Sequence, residues 1–374
     1  MEPIRVLQVF GEPFSNGGQD SYLMNMYRHI DRERVQFDFF TPFENRTPVT
    51  KAEVESLGGH MWSAEHPFGV DNNRYFREGF SAFLAEHKDE YPIVHIHSGS
   101  TYALMIGSKL ARQNGAKRVA VHSHCGGFVN LKYKVVRMLS WLPMQVHPTD
   151  YFACSHLAAR WKFPNPIIRK KKYTVLKNAV DTRVLRYDPA LREKARQELG
   201  LEDKLVVGHI GRFAVQKNHR YLVEIFAALA KIEPNARLVM VGEGVLLEET
   251  LKQVEELGLS DRVQYLGIRR DVDALMNAFD VLLLPSFFEG LPVVGIEAQA
   301  TGLPVVTSTG VTPELPIEDL AVYLPLADSP ERWAQQVLDS AALTRRDTTR
   351  EIIDCGYDVQ VAARIMQEKY EEMA

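Results

Sequence analysis

The feature that most constrains the fold is an alternation of short apolar runs with amphipathic helical stretches, which continues along the whole chain. Many of the runs are rich in β-branched residues, and this pattern is typical of a parallel sheet wrapped by crossover helices. The predicted strands of the first half lie at residues 4–10, 35–41, 93–98, 118–124, 150–155 and 173–181. The sequence therefore predicts an α/β fold.

The pattern starts again in the second half with LVVGHIGR at residues 205–212, and five further strand runs follow it. A chain of 374 residues also exceeds the roughly 250 to 300 residues at which one core stops growing. We therefore predict two Rossmann-like, doubly wound domains, at residues 1–180 and 181–356. Ligands bind outside the carboxyl ends of the strands in such sheets, so two facing domains would place the chemistry in a cleft between them.

The cysteines and the first residues bear on the compartment. Cys125, Cys154 and Cys355 are too few and too scattered for a disulfide framework, and no C-x-x-C metal spacing occurs. The chain begins with an apolar strand pattern that does not resemble a signal peptide, and no run approaches the roughly 20 apolar residues of a membrane span. We expect a cytoplasmic protein that is either soluble or peripheral on the inner face of the cell membrane.

Basic residues are concentrated in one segment of the first half. Between Lys109 and Lys172 there are 13 basic residues against one acid, Asp150, which gives a charge of +12. Within it, LKYKVVRMLSWLPMQ mixes lysine and arginine with large apolar residues, a composition suited to an anionic bilayer surface. The alternative is an amphipathic helix that packs on the core with solvated lysines. Nucleic-acid binding is not favoured, because no DNA or RNA module accompanies the charge.

Two glutamates flank a predicted helix start in the segment SFFEGLPVVGIEAQATGLP. Glu289 lies in the loop before the helix, which we expect to begin near Pro292, and Glu297 lies inside it. The first turn of a helix leaves N–H groups unpaired, and such groups bind phosphate well. Carboxylates suit sugar hydroxyls. On spacing alone, two ordinary surface glutamates remain the alternative.

The segment GRFAVQKN supplies cations at the end of another strand. Arg212 closes that strand, and Lys217 lies just before a helix that Asn218 can cap. Arginine offers a planar fork for phosphate oxygens and lysine a movable point charge, so together they can stabilise a departing nucleoside diphosphate without metal.

Glycines and histidines follow predicted strands of the first half. Gly17 and Gly18 lie between the first strand and a helix, where glycine lets backbone approach a phosphate, although the G-x-G-x-x-G and Walker A patterns are missing. His122 and His124 would point to one face of their strand, in either a structural or a functional role. The pair in HIHSGS presents the same two alternatives one strand away, and no acid or cysteine spacing supports a metal site.

These motifs, taken in order, resemble the family-4 retaining glycosyltransferases of the GT-B fold, and more closely their capsular and exopolysaccharide branch. The resemblance runs over nearly the whole chain. The ordered set that carries it is SNGGQD, IVHIHSGSTYAL, VHSH, DYFACS, GRFAVQKN, VGEG, YLGIRRDV and the E-x7-E segment. It implies a final segment, residues 357–374, that forms a helix crossing back to the first domain.

The resemblance also implies roles for particular residues. Arg212 and Lys217 would hold the donor diphosphate, Glu297 would bind the ribose hydroxyls, and Glu289 would address the sugar together with nearby amides. His124 matches a histidine near the reacting sugar carbon, and Gly17 and Gly18 match a loop that closes over the phosphates. The remaining donor contacts implied are the amides of Gly290, Leu291, Pro292, Val293 and Val294 for the distal phosphate and sugar, and Ile268 and Arg269 for the base. Cys125 departs from the family pattern, which commonly has asparagine there, and this puts the hydrogen bonding around His124 in question.

The predicted function is transfer of a hexose or N-acetylhexosamine from a UDP-sugar to a saccharide or polyprenyl-diphosphate-linked acceptor in exopolysaccharide or capsule synthesis. We expect retention of configuration, a UDP-sugar as co-substrate, no cofactor and no metal. Arg212, Lys217, His124 and Glu289 are the predicted catalytic residues. The alternatives are a GT-B nucleotide-sugar epimerase or phosphorylase, and a non-catalytic scaffold associated with the membrane.

Overall fold

The computed structural model describes residues 2–14, 18–45, 47–124 and 131–374, with the backbone alone at residues 131–134. Its contacts divide the chain into two compact units. Unit 1 consists of Met1–Ala179 together with Val359–Ala374, and unit 2 is Val180–Asp358. The boundaries expected from sequence, after residues 180 and 356, differ from these by one and two residues.

Unit 1 contains a seven-stranded parallel sheet in the order β3-β2-β1-β4-β5-β6-β7. The strands are β1 Ile4–Phe10, β2 Val35–Phe43, β3 Met61–His66, β4 Ile93–His97, β5 Arg118–Ser123, β6 Asp150–Ala153 and β7 Thr174–Val175. The sequence did not predict β3, because its residues MWSAEH are mostly half-buried and lack a clear apolar run. Strand β1 lies between β2 and β4, so the strand order reverses at β1 and β4.

The helices of unit 1 follow its strands. They are α1 Gly18–His29, α2 Pro48–Ser56, α3 Asn72–Glu86, α4 Thr101–Gln113, α5 Leu131–Ser140, α6 Pro143–Val146, α7 His156–Lys162, α8 Asn165–Arg169 and the final helix, which is numbered α16 in chain order, Val359–Met373. Helix α16 packs on β1, β2 and α1, and its Tyr370 is fully buried in the same apolar cluster as Phe37 and Met366.

Unit 2 contains a six-stranded parallel sheet in the order β10-β9-β8-β11-β12-β13. Its strands are β8 Leu205–Ile210, β9 Ala236–Val241, β10 Val263–Tyr265, β11 Val281–Leu284, β12 Val305–Ser308 and β13 Ala321–Leu324. Its helices are α9 Pro189–Leu199, α10 His219–Ile232, α11 Leu247–Glu256, α12 Val272–Ala278, α13 Val293–Ala300, α14 Pro330–Ala341 and α15 Thr349–Asp354. The predicted α/β class with two doubly wound sheets is confirmed.

The VGEG motif after β9 joins two turns of unit 2 at the backbone. Gly242 has a φ of 132° and Gly244 a φ of 152°, and a Cβ atom would lie 2.1 Å from the Gly211 carbonyl oxygen and 2.3 Å from that of Phe213 respectively. Only glycine suits such a φ and such a close approach. The two glycines therefore let the β9 turn press against the turn that follows β8.

The sequence predicts helix N-caps at Asn218, Asp271 and Ser329, and the helix boundaries test all three. Ser329 caps α14 as predicted, since its hydroxyl accepts a hydrogen bond from the Arg332 N–H. Asn218 and Asp271 occupy the N-cap positions of α10 and α12, but neither side chain caps its helix. Asn218 has a φ of 55° and donates its amide N–H to the Pro285 carbonyl. Those two predictions are wrong because each side chain binds another partner, the distant Pro285 carbonyl for Asn218 and the nearby Arg269 for Asp271.

The segment of α5 and α6 exposes large apolar side chains. Six are between 44% and 69% exposed, namely Val135, Met138, Leu139, Trp141, Leu142 and Val146. These six do not pack on the core, but Met144 of the same segment is fully buried in it and α5 contacts α4. Both interpretations of the basic segment therefore stay open. Within the described part of the chain, no helix combines the length and apolar content needed to cross a membrane.

Candidate active site

In unit 2, the predicted site residues meet where the strand order reverses. Strand β8 has β9 on one side and β11 on the other. Arg212 and Lys217 follow β8, whereas Glu289 follows β11. Because ligands of doubly wound sheets bind at the carboxyl ends of such a strand pair, this edge is the candidate donor site.

Lys217 and Glu289 form a close ion pair at this edge. The Lys217 Nζ atom lies 2.9 Å from each carboxylate oxygen of Glu289. The two side chains are only 15% and 9% exposed, and the Ser286 hydroxyl donates a hydrogen bond to the same carboxylate. Lys217, in the turn after β8, is thus held in one place by a carboxylate that is almost completely shielded from solvent.

Gln216 binds the lysine loop to the glutamate loop. Its backbone carbonyl accepts a hydrogen bond from the Phe287 N–H at 2.8 Å. Its side-chain amide donates to the Phe288 carbonyl at 3.0 Å. The short 3₁₀ turn Val215–Lys217 is thereby fixed against the segment that carries Glu289.

The backbone of Glu289 also pairs with the loop after β12. The Glu289 N–H donates to the Gly310 carbonyl at 3.1 Å, and the Thr312 N–H donates to the Glu289 carbonyl at 3.3 Å. These bonds form an isolated parallel bridge between Glu289 and Val311. The glutamate is consequently held from both sides before helix α13 begins.

Helix α13 begins at Val293, with Pro292 as the N-cap residue rather than the first helical residue expected from sequence. Gly290 and Leu291 join Glu289 to the helix. Val293 and Val294 lie in the first turn of the helix, so their amide N–H groups have no carbonyl acceptor within the helix. The amides at this helix start carry a partial positive charge and suit an anion.

Glu297 lies inside α13, eight positions after Glu289. Its side chain is half-buried. Burial raises the pKa of Glu297 to about 7, so close to neutral pH its carboxyl group exists in both the protonated and the ionised form. Such a group can donate or accept a hydrogen bond.

The other predicted donor contacts lie nearer solvent. Arg212 is exposed and has no ion-pair partner among the described residues. Ile268 is 63% exposed. Arg269 binds Asp271 with an Nε to Oδ1 distance of 2.8 Å, and this contact raises the pKa of Arg269 and lowers that of Asp271. Asp271 thus binds a neighbouring arginine instead of capping α12.

In unit 1, four histidines gather at the carboxyl ends of β4 and β5. His95 and His97 lie on β4, His122 lies on β5 and His124 follows it. The rings of His122 and His124 stack with centroids 4.1 Å apart, and the rings of His95 and His97 are 4.2 Å apart. The prediction that His122 and His124 share one face is confirmed, and the second pair joins them.

All four histidines of this cluster are held neutral by burial. Burial lowers the pKa of His124 to about 3. It also lowers the pKa values of His95, His97 and His122 well below the ordinary value of 6.5. At neutral pH these imidazoles exchange hydrogen bonds without carrying charge.

The glycine loop lies only partly within the described residues. Gly18 begins α1, and a Cβ atom added to it would have no heavy atom within 4 Å. Gly17 and Cys125 lie outside the described residues. Their predicted roles in the phosphate loop and beside His124 therefore stay predictions.

Sequence reasoning missed a buried acid in unit 1. The Glu12 carboxylate accepts hydrogen bonds from the Ser98 hydroxyl at 2.8 Å and from the Gly99 N–H at 3.1 Å. Burial raises the pKa of Glu12, and its second oxygen has no hydrogen-bond partner among the described residues. The signal was present, because Glu12 directly follows the first strand and precedes the glycine loop. In unit 2, Ser286 was missed in the same way, three positions before Glu289.

Known proteins share sequence with much of this chain. Residues 204–342 match the family model described as glycosyl transferases group 1. EpsF of Bacillus subtilis (strain 168), which is named as a glycosyltransferase, is 29% identical over 95% of this chain and 93% of its own length. An Escherichia coli enzyme named UDP-Gal:alpha-D-GlcNAc-diphosphoundecaprenol alpha-1,3-galactosyltransferase is 33% identical over 59% of this chain and 58% of its own.

Solved structures share the fold at low sequence identity. The complex of Anabaena Alr3699/HepE with UDP has a TM-score of 0.76 and 19% identity, covering 98% of this chain and 100% of its own. Sucrose-phosphate synthase from Thermosynechococcus elongatus has a TM-score of 0.77 and 20% identity, covering 100% and 99%. At this identity the two matches show a shared fold alone, which agrees with the two doubly wound sheets described above.

Proposed function

We propose that this chain is a group 1 glycosyltransferase that moves a hexose or N-acetylhexosamine from a UDP-sugar, with retention, to a saccharide or lipid-linked saccharide in exopolysaccharide or capsule synthesis. The observation that carries the proposal is the contact between Lys217 and Glu289 beside the start of α13. It brings a cation, a carboxylate and helix amides to one edge of the sheet.

The cations of this edge would bind the donor diphosphate. Lys217 is paired with Glu289, and an incoming phosphate would compete with that carboxylate for the ammonium group. Arg212 is exposed on the same strand end and offers a bidentate fork. Together with the amides at the start of α13, they would stabilise the charge that develops on the leaving diphosphate without a metal ion.

The two glutamates would address hydroxyl groups. Once a phosphate engages Lys217, the carboxylate of Glu289 is free to accept hydrogen bonds from the sugar. Glu297, with a pKa of about 7, can both donate to and accept from ribose hydroxyls. Neither acid then has to act as a nucleophile. Retention would follow from attack on the face from which the diphosphate leaves, and the leaving phosphate would take the acceptor proton.

The acceptor would be presented at an anionic membrane surface. Six large apolar side chains are exposed on α5 and α6, within the segment of residues 109–172 that carries a charge of +12. Basic and apolar groups in one segment favour anionic bilayers. The names of the Escherichia coli enzyme and of a Campylobacter jejuni relative include an undecaprenol-linked acceptor, which fits an acceptor at a lipid surface.

A donor panel tests the proposed reaction. The purified chain is incubated with UDP-glucose, UDP-galactose and their N-acetylated forms, with and without a polyprenyl-diphosphate-linked saccharide, in the presence of EDTA. We expect UDP release from at least one donor, stimulated by the acceptor, and an α-linked product from an α-linked donor. An isomerised donor would support the epimerase, whereas neither binding nor turnover would support the scaffold.

Vesicle binding tests the membrane surface. We expect the chain to sediment with phosphatidylglycerol vesicles at low salt and to dissociate as salt is raised, because screening weakens the basic contribution. Met138→Glu should reduce the bound fraction about 10-fold, since a charge replaces an inserted apolar group. Val245→Glu, at a valine of unit 2 that is 92% exposed, is the matched control and should bind like the parent. Equal binding of both variants would refute this surface.

A further inference from the structure

A chain of hydrogen bonds connects His124 to the final helix of unit 1. His124 Nε2 lies 2.8 Å from His97 Nδ1, and His97 Nε2 lies 2.8 Å from the Gln8 side-chain oxygen. The Gln8 amide nitrogen donates to the Tyr370 hydroxyl at 3.0 Å. That hydroxyl lies 2.6 Å from His95 Nδ1. Five side chains from β1, β4, the end of β5 and α16 are therefore linked in one series.

The interior of this series is closed to water. Gln8, His95, His97 and Tyr370 are each 0% exposed. Buried polar groups of this kind depend on one another for hydrogen bonds, because an unmade bond costs the full desolvation of the group. The direction of one bond in the series therefore fixes the direction of the next.

The Gln8 amide sets that direction. Its oxygen can only accept, so His97 Nε2 must carry a proton and His97 Nδ1 must be an acceptor. His124 must then donate from Nε2. On the other side, the Gln8 N–H group donates to Tyr370, so the tyrosine hydroxyl donates its own proton to His95. All four bonds run from His124 towards His95.

We infer that Gln8, His97 and Tyr370 are positioning residues that hold His124 in the Nε2–H tautomer and present its Nδ1 lone pair as a hydrogen-bond acceptor. The role of that lone pair rests on the proposed function and on the expectation from the sequence that His124 lies near the reacting sugar carbon. An acceptor nitrogen there selects a hydroxyl or an amide N–H of the saccharide.

The electrostatics of the cluster support an acceptor rather than a base. Burial keeps the pKa of His124 near 3, so the imidazole has little tendency to take a full proton at neutral pH. The groups that face it are the neutral rings of His97, His122 and Tyr22. Within the described residues, none of these contacts brings a carboxylate to the His124 ring. His124 would thus orient a hydroxyl of the saccharide that does not react, while the departing phosphate takes the proton of the attacking acceptor hydroxyl.

A metal ion would compete with this arrangement. Nitrogen atoms of His95, His97 and His122 lie within 4.8 Å of one another and could hold a metal ion. Both nitrogens of His97, however, are already bound to Gln8 and His124. A metal would have to take one of those nitrogens and would break the series, so the two arrangements exclude each other.

The test is ¹⁵N NMR of the full chain labelled at histidine, because nitrogen shifts separate protonated from unprotonated ring nitrogens. We expect His124, identified by loss of its signals in His124→Asn, to show a protonated Nε2 and an unprotonated Nδ1 at pH 7.5. A protonated Nδ1, or Zn²⁺ bound at one equivalent with displaced His97 signals, would overturn the inference.

Variants then separate positioning from packing. Tyr370→Phe keeps the buried ring but removes the link between Gln8 and His95, so His124 should become a mixture of tautomers. The kcat for transfer should fall about 3- to 10-fold with little change in donor KM, which is the size expected for one misdirected hydrogen bond. Gln8→Met, which removes both polar atoms at similar length, should have the same effect on the tautomer.

Tyr27→Phe is the matched control, because Tyr27 is equally buried in the same core and its hydroxyl bonds to Leu57 and Gln36 instead. It should leave the His124 tautomer and kcat unchanged. If Tyr370→Phe and Gln8→Met also leave the tautomer unchanged, the inference is wrong. The NMR readout needs no substrate, so a protein with the expected tautomer but no transfer from any UDP-sugar would refute the proposed function alone.

Discussion

The two units place very different groups at equivalent positions of similar sheets. In unit 2, a lysine, an arginine and two glutamates lie at the carboxyl ends of β8 and β11, where the strand order reverses. In unit 1, the corresponding edge carries neutral histidines joined by hydrogen bonds and one buried acid. The backbone topology alone therefore does not determine the chemistry of the edge, and the side chains after the strands do.

The difference matches the two kinds of substrate that the proposed reaction needs. A diphosphate demands positive charge and helix amides, and unit 2 supplies both. A saccharide is neutral and is recognised through directed hydrogen bonds, which unit 1 supplies from groups whose protonation burial has fixed. Unit 2 would thus bind the diphosphate through charge, and unit 1 would bind the saccharide through directed hydrogen bonds.

The largest expected effect comes from removing the charge in unit 2. Lys217→Ala should lower kcat/KM for transfer by about 10²- to 10³-fold, because a preorganised group that stabilises the leaving diphosphate is lost. The control is Lys252→Ala, at a surface lysine that forms an ion pair with Glu256, and its activity should match the parent. Circular dichroism checks that both variants remain folded. Near-normal transfer by a folded Lys217→Ala would contradict the claim that unit 2 acts on the diphosphate through charge.

Removing a neutral histidine from unit 1 should have a smaller effect on transfer. His124→Ala should lower kcat by about 10- to 100-fold, within the range of a lost orienting contact, while leaving the affinity for UDP unchanged. His156→Ala changes a solvent-exposed histidine of the same unit that contacts Tyr173 and serves as the control. Calorimetric titration with UDP gives the second readout. If His124→Ala instead weakens UDP binding and leaves kcat unchanged, the claim that unit 1 orients the saccharide while unit 2 binds the diphosphate is contradicted.

The smallest effect concerns stability and pH in unit 2. The pKa of Glu297 is about 7 in the folded chain against roughly 4.3 when unfolded. The folded state therefore binds more protons in this window, and the contribution of Glu297 makes the free energy of unfolding fall as pH rises from about 4 to about 7.

Glu297→Gln cannot ionise and should remove that slope, leaving the variant more stable than the parent at pH 8 by about 1 to 3 kcal/mol. Urea denaturation at pH 5 and pH 8 measures it. Glu255→Gln, at an exposed glutamate of α11, should retain the slope. A parallel slope in Glu297→Gln would show that burial does not shift this acid.

Much of the fold could be predicted because most of its strands are buried on both faces. All six strands of unit 2 coincide with apolar runs such as LVVGHIGR and DVLLLPS. Strand β3 was missed because its half-buried residues give no such run. The predicted cap at Asn218 was wrong because its side chain binds the Pro285 carbonyl, 67 positions away, which sequence does not reveal. The predicted cap at Asp271 was wrong because the nearby Arg269 binds that carboxylate instead.

The site was predictable where residues close in sequence determine it. Spacing identified Glu289, Glu297 and Lys217, and the structure brings Lys217 and Glu289 into contact. The link from His124 through Gln8 to Tyr370 was not predictable, since it joins residues from both ends of the chain. Composition did not predict that Met138 and its neighbours are exposed, because it does not show whether an apolar helix face packs on the core or faces solvent.

The return of α16 to unit 1 has a consequence for synthesis. Unit 1 is translated first, yet its core includes residues 359–373, which leave the ribosome after all of unit 2. At about 5 to 20 residues per second, the remaining residues take about 10 to 40 s to be made. During that interval the apolar groove that later holds Tyr370 is open, and unit 2 can fold before the unit that precedes it. A nascent chain of this design would need protection of its first half, and the histidine series would be the last element to form.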